Sequence, residues 1–308
     1  MRVFRLSDPD GSPLLMEADA PQPRPGPGEL LIRICAAGVT PTELTWSPTS
    51  HTKSGEKRIG AIPGHEFSGV VAGVGESEDS SGIGREVFGM NDWFADGATA
   101  EYCIAPSSAV TAKPVRLSHT EAASVPIGAL TAWQGLFERA NLQPGEHVLV
   151  HGGAGAVGIF AVQLAKHRGS HVTATASARD CEFVATLGAE RVIDYRAMRF
   201  EDVVPQVDVV FDTVGGETLE RSWSVLKSQG RMVTIAAGEE TAVDSRTKAA
   251  FFIVEPNQKQ LTEIAALLDA QALRTFVAAA VPFSRAPEAY SQRTRKGGAG
   301  KVVIDIAA

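Results

Sequence analysis

The stretch HVLVHGGAGAVGIFAVQLAKHR, residues 147–168, decides the fold because it predicts a strand, a glycine-rich turn and a helix in succession. Three consecutive apolar residues precede the glycines, and later apolar residues recur at helical spacing until Gly169. Such a turn leaves unpaired N–H groups and the positive end of the helix dipole facing outward, which suits a pyrophosphate. The spacing Gly152-x-x-Gly155-x-x-Gly158 is a variant of the dinucleotide-binding pattern, and a purely structural turn is the alternative interpretation.

Composition narrows the class of protein. The chain has 308 residues, of which 44% are hydrophobic and 21% charged, and it is long enough for two domains. No apolar run reaches the roughly 18–20 residues of a membrane span, and no signal-peptide core is evident, so we expect a cytoplasmic protein without a membrane partner. A net charge of −7 argues against nucleic acid. Three widely spaced cysteines exclude a disulfide framework and a four-cysteine zinc site.

The order of predicted elements indicates an α/β protein with a β-rich head. Strands are expected at 29–37, 67–74, 86–90 and 98–104. From residue 118 strands and helices alternate, which predicts βαβ units and a doubly wound parallel sheet. The last segment, 273–308, contains further strand patterns and is expected to return to the head.

The end of the predicted second strand of that sheet indicates which dinucleotide binds. An acidic residue there accepts hydrogen bonds from the free ribose 2′-OH of NAD. This chain has Ser177 and Arg179 instead, a hydroxyl and a guanidinium that suit the 2′-phosphate of NADPH. A solvated arginine is the alternative. Asp180 is a competing candidate for the ribose, but we expect it to cap the following helix.

Several segments resemble one known superfamily. They are GHEFSGVVAGVG (64–75), PIGALTAWQGL (126–136), TLGAERVIDYR (186–196), FDTVGG (211–216) and GKVVI (300–304). Together with the glycine stretch they resemble the medium-chain dehydrogenase/reductase superfamily, and within it the zinc-independent quinone oxidoreductase branch of ζ-crystallin-like proteins. The resemblance covers nearly the whole chain. It implies a GroES-like substrate domain (1–117), a Rossmann cofactor-binding domain (118–272), a returning C-terminal segment (273–308), a cleft between the domains and a homodimer.

The resemblance also implies cofactor contacts beyond the glycines. Thr131 matches a position close to the nicotinamide, and Tyr195 matches a tyrosine near the 2′-phosphate. The complete predicted cofactor set is Thr131, Gly152, Gly153, Ala154, Gly155, Ala156, Val157, Gly158, Ser177, Arg179, Tyr195, Val214, Gly215, Ala236, Ala237, Phe252 and Ile253. Within it, Val214 and Gly215 are expected on the adenosine side, and Phe252 and Ile253 near the carboxamide. Ordinary packing is the alternative for each contact outside the loop.

A catalytic metal is not expected. Zinc-dependent members of the superfamily place a cysteine ligand in the segment that corresponds to AAGVTPTEL (36–44) and a histidine ligand in GHE. This chain keeps His65 but has Thr40 at the cysteine position, and a threonine is a poor zinc ligand beside a thiolate.

The predicted reaction follows from the missing Lewis acid. Quinones and α,β-unsaturated carbonyls accept hydride more easily than simple carbonyls because the resulting charge is delocalised. We therefore expect an NADPH-dependent quinone or enone oxidoreductase in which Thr40 donates to the developing oxyanion. Trp46 and Trp93 are predicted to line the substrate pocket, with core packing as the alternative. Two other functions stay open: a zinc-free alcohol or ketone reductase, and an NADPH-binding crystallin-like or sensor protein without turnover.

Overall fold

The chain divides into two compact units. The computed structural model describes residues 1–7, 14–76, 79–236, 244–291 and 298–307. The first unit comprises Met1–Ile127, Pro256–Gln271 and Thr275–Ala308, and the second comprises Gly128–Glu255 and Ala272–Arg274. Among the described residues, no helix has both the length and the apolar character needed to cross a membrane.

Each strand that the sequence predicts has a counterpart in the structure, in the same order. The strands are β1 (Arg2–Ser7), β2 (Leu14–Asp19), β3 (Glu29–Gly38), β4 (Glu66–Val74), β5 (Glu86–Met90), β6 (Tyr102–Pro106), β7 (Val110–Ala112), β8 (His147–Val150), β9 (His171–Ala176), β10 (Arg191–Asp194), β11 (Val207–Asp212), β12 (Leu226–Thr234), β13 (Val277–Pro282) and β14 (Lys301–Asp305). The helices are α1 (Ser47–Ser50), α2 (His119–Ala123), α3 (Pro126–Trp133), α4 (Gly158–His167), α5 (Cys181–Thr186), α6 (Gly216–Ser222), α7 (Ser245–Ala250), α8 (Gln258–Asp269) and α9 (Ala286–Ala289).

The first unit is built on a mixed sheet in the order β13-β14-β3-β4-β5-β7, with β6 also paired to β3. Strand β3 is central because its apolar residues are buried, including Ile32 and Ile34. Around them lies a core to which the C-terminal strands contribute Val302 and Ile304. The C-terminal segment is therefore an integral part of this sheet.

The second unit contains a parallel sheet in the order β10-β9-β8-β11-β12. The predicted α/β class with a β-rich head and a doubly wound parallel sheet is confirmed. Strand β8 is central, and the chain goes to β9 on one side of it and later to β11 on the other. The carboxyl end of β8 is thus a topological switch point, where ligands bind in sheets of this kind. All loops that leave the carboxyl ends of parallel strands lie along this edge of the sheet.

The structure divides the chain differently from the expected boundaries at 117/118 and 272/273. Residues 118–127 and 256–271 belong to the first unit. Helix α8 is held there by polar contacts with β7: Gln258 Nε2 donates to the Val110 carbonyl at 2.8 Å, and the hydroxyls of Thr262 and Thr111 lie 2.8 Å apart. Its helical periodicity could not show which sheet it covers.

Some predicted elements were wrong in extent. The antiparallel pair β1–β2 was not predicted at all. Strand β6 begins at Tyr102 rather than residue 98, because Ala98 and Thr99 donate instead to the carbonyls of Gly64 and Pro63.

A buried ion pair joins β4 to β14 in the first unit. Glu66 and Lys301 form it, and their side chains are 0% and 4% exposed. The second carboxylate oxygen of Glu66 accepts a hydrogen bond from the Ile127 amide at 2.9 Å. Burial lowers the pKa of Lys301 to about 7. Removing either partner leaves the other polar group buried without its main partner.

We predict that Lys301→Met destabilises the protein by about 3–5 kcal/mol, because the Glu66 carboxylate stays buried and loses its counter-charge. Urea unfolding followed by tryptophan fluorescence measures the change. The double variant Glu66→Gln/Lys301→Met should recover most of the loss. Lys166→Met, which breaks the exposed pair with Glu190, is the matched control and should cost under about 1 kcal/mol. An equal loss of unfolding free energy in Lys301→Met and Lys166→Met would contradict the role of burial.

Candidate functional site

The glycine loop after β8 leaves no room for side chains at two positions. A Cβ atom on Gly158 would lie 2.1 Å from the Gly152 carbonyl oxygen. A Cβ atom on Gly153 would lie 3.0 Å from Val184 Cγ1 and 3.1 Å from Ala174 Cβ. Gly152 itself has a φ of +74°, in the left-handed region that favours glycine. The loop is therefore folded tightly against the strand and helix that flank it.

Backbone N–H groups of this loop are open to a ligand. The amides of Ala154, Ala156 and Val157 donate no hydrogen bond within the described ranges. Val157 is the N-cap residue of α4 and makes no side-chain cap. An uncapped helix terminus carries partial positive charge and free donors, which together bind anions. The loop can therefore hold a phosphate or pyrophosphate.

Buried side chains fix the position at which the loop begins. The ring of His151, just before Gly152, is hydrogen-bonded through Nε2 to Ser222 Oγ at 2.9 Å and through Nδ1 to Thr175 Oγ1 at 3.2 Å. Burial lowers the pKa of His151 to about 3, so it stays neutral at physiological pH. The Thr213 hydroxyl donates to the His151 carbonyl at 2.8 Å and ties the turn after β11 to the same point.

Asp212 organises the neighbouring turn and was not predicted. Its buried carboxylate accepts hydrogen bonds from the amides of Val214 and Gly215 at 3.1 and 3.0 Å and from the Thr234 hydroxyl at 2.7 Å. These bonds hold the turn after β11 and join that strand to β12. Val214 is left 54% exposed at the ligand-binding edge of the sheet.

The structure brings many of the predicted cofactor residues to that edge. Tyr195 follows β10 and donates its amide to the Ala176 carbonyl at the end of β9, at 3.2 Å. The loops that follow successive strands carry Gly152–Gly158, Ser177 with Arg179, Tyr195, Val214 with Gly215, and Ala236. The parallel order of the sheet thus collects residues that are widely separated in sequence.

Ser177 and Arg179 lie together after β9, but they share a partner. The Ser177 hydroxyl donates to Asp180 Oδ2 at 2.7 Å, and Arg179 Nε and Nη2 donate to the same carboxylate at 3.1 and 3.3 Å. The expectation that Asp180 caps the next helix is wrong: it occupies the N-cap position of α5 but makes no side-chain cap, and its oxygens accept from Ser177 and Arg179 instead.

Three other predicted contacts differ in exposure. Thr131 is buried on α3, and Phe252 is 5% exposed and packs close to Gly135, whereas Ile253 is 59% exposed. Ala237 lies outside the described residues.

The three residues predicted to meet the substrate lie in the first unit. Trp46 and Trp93 contact each other edge to face, with ring centroids 5.4 Å apart. Trp93 also packs on His65, at 5.1 Å between centroids. Thr40 is partly exposed just before Pro41, and its hydroxyl makes no hydrogen bond to another described residue. The tryptophans thus form one half-buried aromatic surface.

Comparisons with known proteins find relatives over nearly the whole length of this chain. Residues 26–115 match the alcohol dehydrogenase GroES-like domain, and residues 187–304 match the zinc-binding dehydrogenase family. The chain is 33% identical over 301 residues to 2-methylene-furan-3-one reductase of Solanum lycopersicum, covering 94% of this chain and 75% of that protein. The chain belongs to the quinone oxidoreductase branch of the medium-chain dehydrogenase/reductase superfamily. It is also 30% identical to the chloroplastic NADPH-dependent alkenal/one oxidoreductase of Arabidopsis thaliana, over 99% of this chain and 79% of that one.

A solved structure of the same branch has the same fold. The quinone oxidoreductase from Coxiella burnetii superimposes with a TM-score of 0.87 at 28% identity, covering 99% of both chains. This likeness and the two family matches confirm the GroES-like and Rossmann domains of the predicted fold class.

The name of one matched family implies zinc, but the residues present do not fit it. No group of three or more His, Cys, Asp or Glu side chains among the described residues is arranged to hold a metal ion. Thr40 stands where the resemblance places the cysteine ligand, and the Nδ1 atom of His65 is hydrogen-bonded to Asn91 Oδ1 at 3.1 Å. A tetrahedral zinc site needs more soft donors than this.

Glu43 is a buried acid beside His65 that the sequence analysis missed. Its Oε2 atom accepts from the Gly64 amide at 3.2 Å and lies 3.9 Å from His65 Nε2. Glu43 Oε1 and His65 Nε2 have no hydrogen-bond partner within the described part of the chain. Burial raises the pKa of Glu43 to about 7 and lowers that of His65 to about 4. Spacing alone could not reveal this pair, because Glu43 looks like an ordinary first-turn acid.

We predict that Glu43→Gln changes the pH dependence of stability. Because the folded-state pKa of about 7 lies above the ordinary value of 4.5, this group makes wild-type stability fall as pH rises from 4.5 to 7. The glutamine variant lacks that fall, so its free energy of unfolding relative to wild type should rise by about 3 kcal/mol over this range.

Urea unfolding at pH 5, 6, 7 and 8 measures the difference. The control Glu17→Gln removes an exposed carboxylate, and its difference from wild type should stay nearly constant with pH. A constant difference for Glu43→Gln as well would show that this carboxyl is already ionised at pH 5.

Proposed function

We propose that this protein is an NADPH-dependent oxidoreductase that reduces a quinone or an α,β-unsaturated carbonyl without a metal. The observation that carries the proposal is the open, glycine-rich loop Gly152–Gly158 at the switch point of the parallel sheet, with Ser177 and Arg179 on the next loop. A dinucleotide fits this arrangement with its pyrophosphate on the loop and its adenosine ribose beside the end of β9.

The positive charge of Arg179, on the loop after β9, favours NADPH over NADH. Arg179 is 63% exposed and presents a planar guanidinium that can bind a phosphate in a fork. Tyr195 follows the adjacent strand and offers an exposed ring. The name of the Arabidopsis relative states the same cofactor for that protein.

The proposed chemistry needs orientation and charge stabilisation from the protein. When bound, NADPH supplies the hydride. The acceptor gains that hydride and one proton from water or a hydroxyl, and becomes a hydroquinone or a saturated carbonyl. Trp46 and Trp93 offer an apolar surface to a planar acceptor. The Thr40 hydroxyl is our candidate donor to the oxyanion, and a donor at that position stabilises charge as it develops.

We predict NADPH oxidation with quinones and enones, and much slower oxidation with the matching saturated ketones, because only the former delocalise the charge that hydride transfer creates. Absorbance at the nicotinamide band measures turnover. Activity should survive EDTA, and metal analysis should find less than stoichiometric zinc. Equal rates with enones and saturated ketones would favour an alcohol or ketone reductase. Tight NADPH binding without any turnover would favour a binding protein, and zinc lost together with activity in His65→Ala would overturn the metal-free proposal.

We predict that Arg179→Ala weakens NADPH binding by about 10- to 100-fold and leaves NADH binding nearly unchanged, because only NADPH carries the phosphate that the guanidinium meets. Calorimetric titration with both cofactors measures the two constants. Arg199→Ala is the matched control, since Arg199 is similarly exposed at 66% but pairs with Glu201. Equal weakening of both cofactors by Arg179→Ala would remove the basis for NADPH preference.

We also propose a homodimer and a cytoplasmic location. For the dimer, β12 is the outer strand of the described parallel sheet, and the exposed Ile253 lies two residues beyond Phe251, which bridges to Thr234 of that strand. Among the described residues this outer edge is paired only by that single bridge, and an exposed apolar residue beside such an edge favours pairing with a second copy. The location rests on composition alone, and the Arabidopsis relative is described as chloroplastic.

A further inference from the structure

Among the described residues, Asp180 is the one acidic group that is hydrogen-bonded to both residues proposed to bind the 2′-phosphate. Its side chain is 16% exposed, and its two oxygens accept from Ser177 and from two nitrogens of Arg179. The bond to Arg179 is the main cause that holds the pKa of Asp180 below its usual value, so the carboxylate is ionised at neutral pH.

We infer that Asp180 sets the cofactor preference of this site by competing with the 2′-phosphate of NADPH for Arg179 and Ser177 and by accepting a hydrogen bond from the free 2′-hydroxyl of NADH. The inference rests on the proposed function. If Asp180 acts in this way, the protein uses both cofactors. Its preference for NADPH is smaller than the preference that Ser177 and Arg179 would give in the absence of Asp180.

The local charge supports competition. Arg179 and Asp180 together are neutral, so an arriving phosphate, which carries between one and two negative charges, meets no net positive charge from the pair. Two further charged side chains lie at the end of β10: Arg196, whose guanidinium lies 5.6 Å from the Tyr195 ring centroid, and Asp194, which accepts from the Arg196 amide. They also balance each other. A bound phosphate must therefore draw Arg179 away from Asp180 or accept the repulsion of its carboxylate.

The same geometry favours NADH. A carboxylate beyond the end of the second strand is the group that binds a ribose hydroxyl in sheets of this type. Each carboxylate oxygen accepts more than one hydrogen bond, so Asp180 has capacity left beside Ser177 and Arg179. Ser177 stays in place in either case, because its hydroxyl can donate to the carboxylate or to a phosphate oxygen.

The test compares wild type, Asp180→Asn and Glu182→Gln by calorimetric titration with NADPH, NADH, 2′,5′-ADP and 5′-AMP. Asparagine keeps an acceptor for the Ser177 hydroxyl but removes the charge. We expect Asp180→Asn to bind NADPH and 2′,5′-ADP about tenfold more tightly and NADH about threefold more weakly. The ratio of NADPH affinity to NADH affinity should therefore rise by about 30-fold. Glu182 is exposed on α5 and has no hydrogen bond to Arg179, so Glu182→Gln should change the ratio by less than about twofold.

The outcomes separate this inference from the proposed function. If wild type binds NADPH and the ratio is unchanged in Asp180→Asn, or changes equally in Glu182→Gln, the role of Asp180 is wrong and the oxidoreductase proposal stands. If wild type binds none of the four compounds, the proposed function itself fails. The inference is supported if the ratio of NADPH affinity to NADH affinity rises only in Asp180→Asn. The affinities for 2′,5′-ADP and 5′-AMP should then change in the same direction as those for NADPH and NADH, respectively.

Discussion

The Gly152 carbonyl oxygen and the Cα atom of Gly158 approach so closely that a Cβ atom on Gly158 would lie 2.1 Å from that oxygen. This approach lets α4 begin immediately behind the loop without a side-chain cap, and the loop amides of Ala154, Ala156 and Val157 donate no hydrogen bond to another described residue. The anion-binding capacity of the second unit depends on it, because any larger residue displaces either the loop or the helix. His151 and Thr213 hold the same point from the side of the sheet.

Buried polar groups give the first unit a different organisation. The ion pair of Glu66 and Lys301 joins a strand from the middle of the chain to the last strand. Glu43 and His65, whose side chains lie 3.9 Å apart, are buried with perturbed pKa values, and each keeps one polar atom without a hydrogen-bond partner among the described residues. Such groups are costly to bury, so their positions are set by the surrounding sheet rather than by local preference.

The two loops that would meet the cofactor illustrate two kinds of electrostatic design. The glycine loop uses backbone dipoles alone, and its attraction for a phosphate is independent of pH over the physiological range. The loop after β9 uses side chains, and there Arg179 is already engaged by Asp180. A change of one residue can alter the second kind of site far more easily than the first, which places the control of cofactor preference in the side-chain loop.

The sequence by itself determined the class of the fold and the place of the glycine loop. Periodicity and glycine spacing are local properties, so they can be recognised without knowing the tertiary contacts. Ser177 and Arg179 were predicted as cofactor contacts from their distance to the glycines, and the structure places both on the loop after β9. Only the tertiary structure decided that Asp180 binds these two residues instead of capping α5, that Asp212 ties its turn to β12, and that α8 belongs to the first unit. A side chain with several possible partners chooses among them by geometry, and that geometry exists only after the strands have paired.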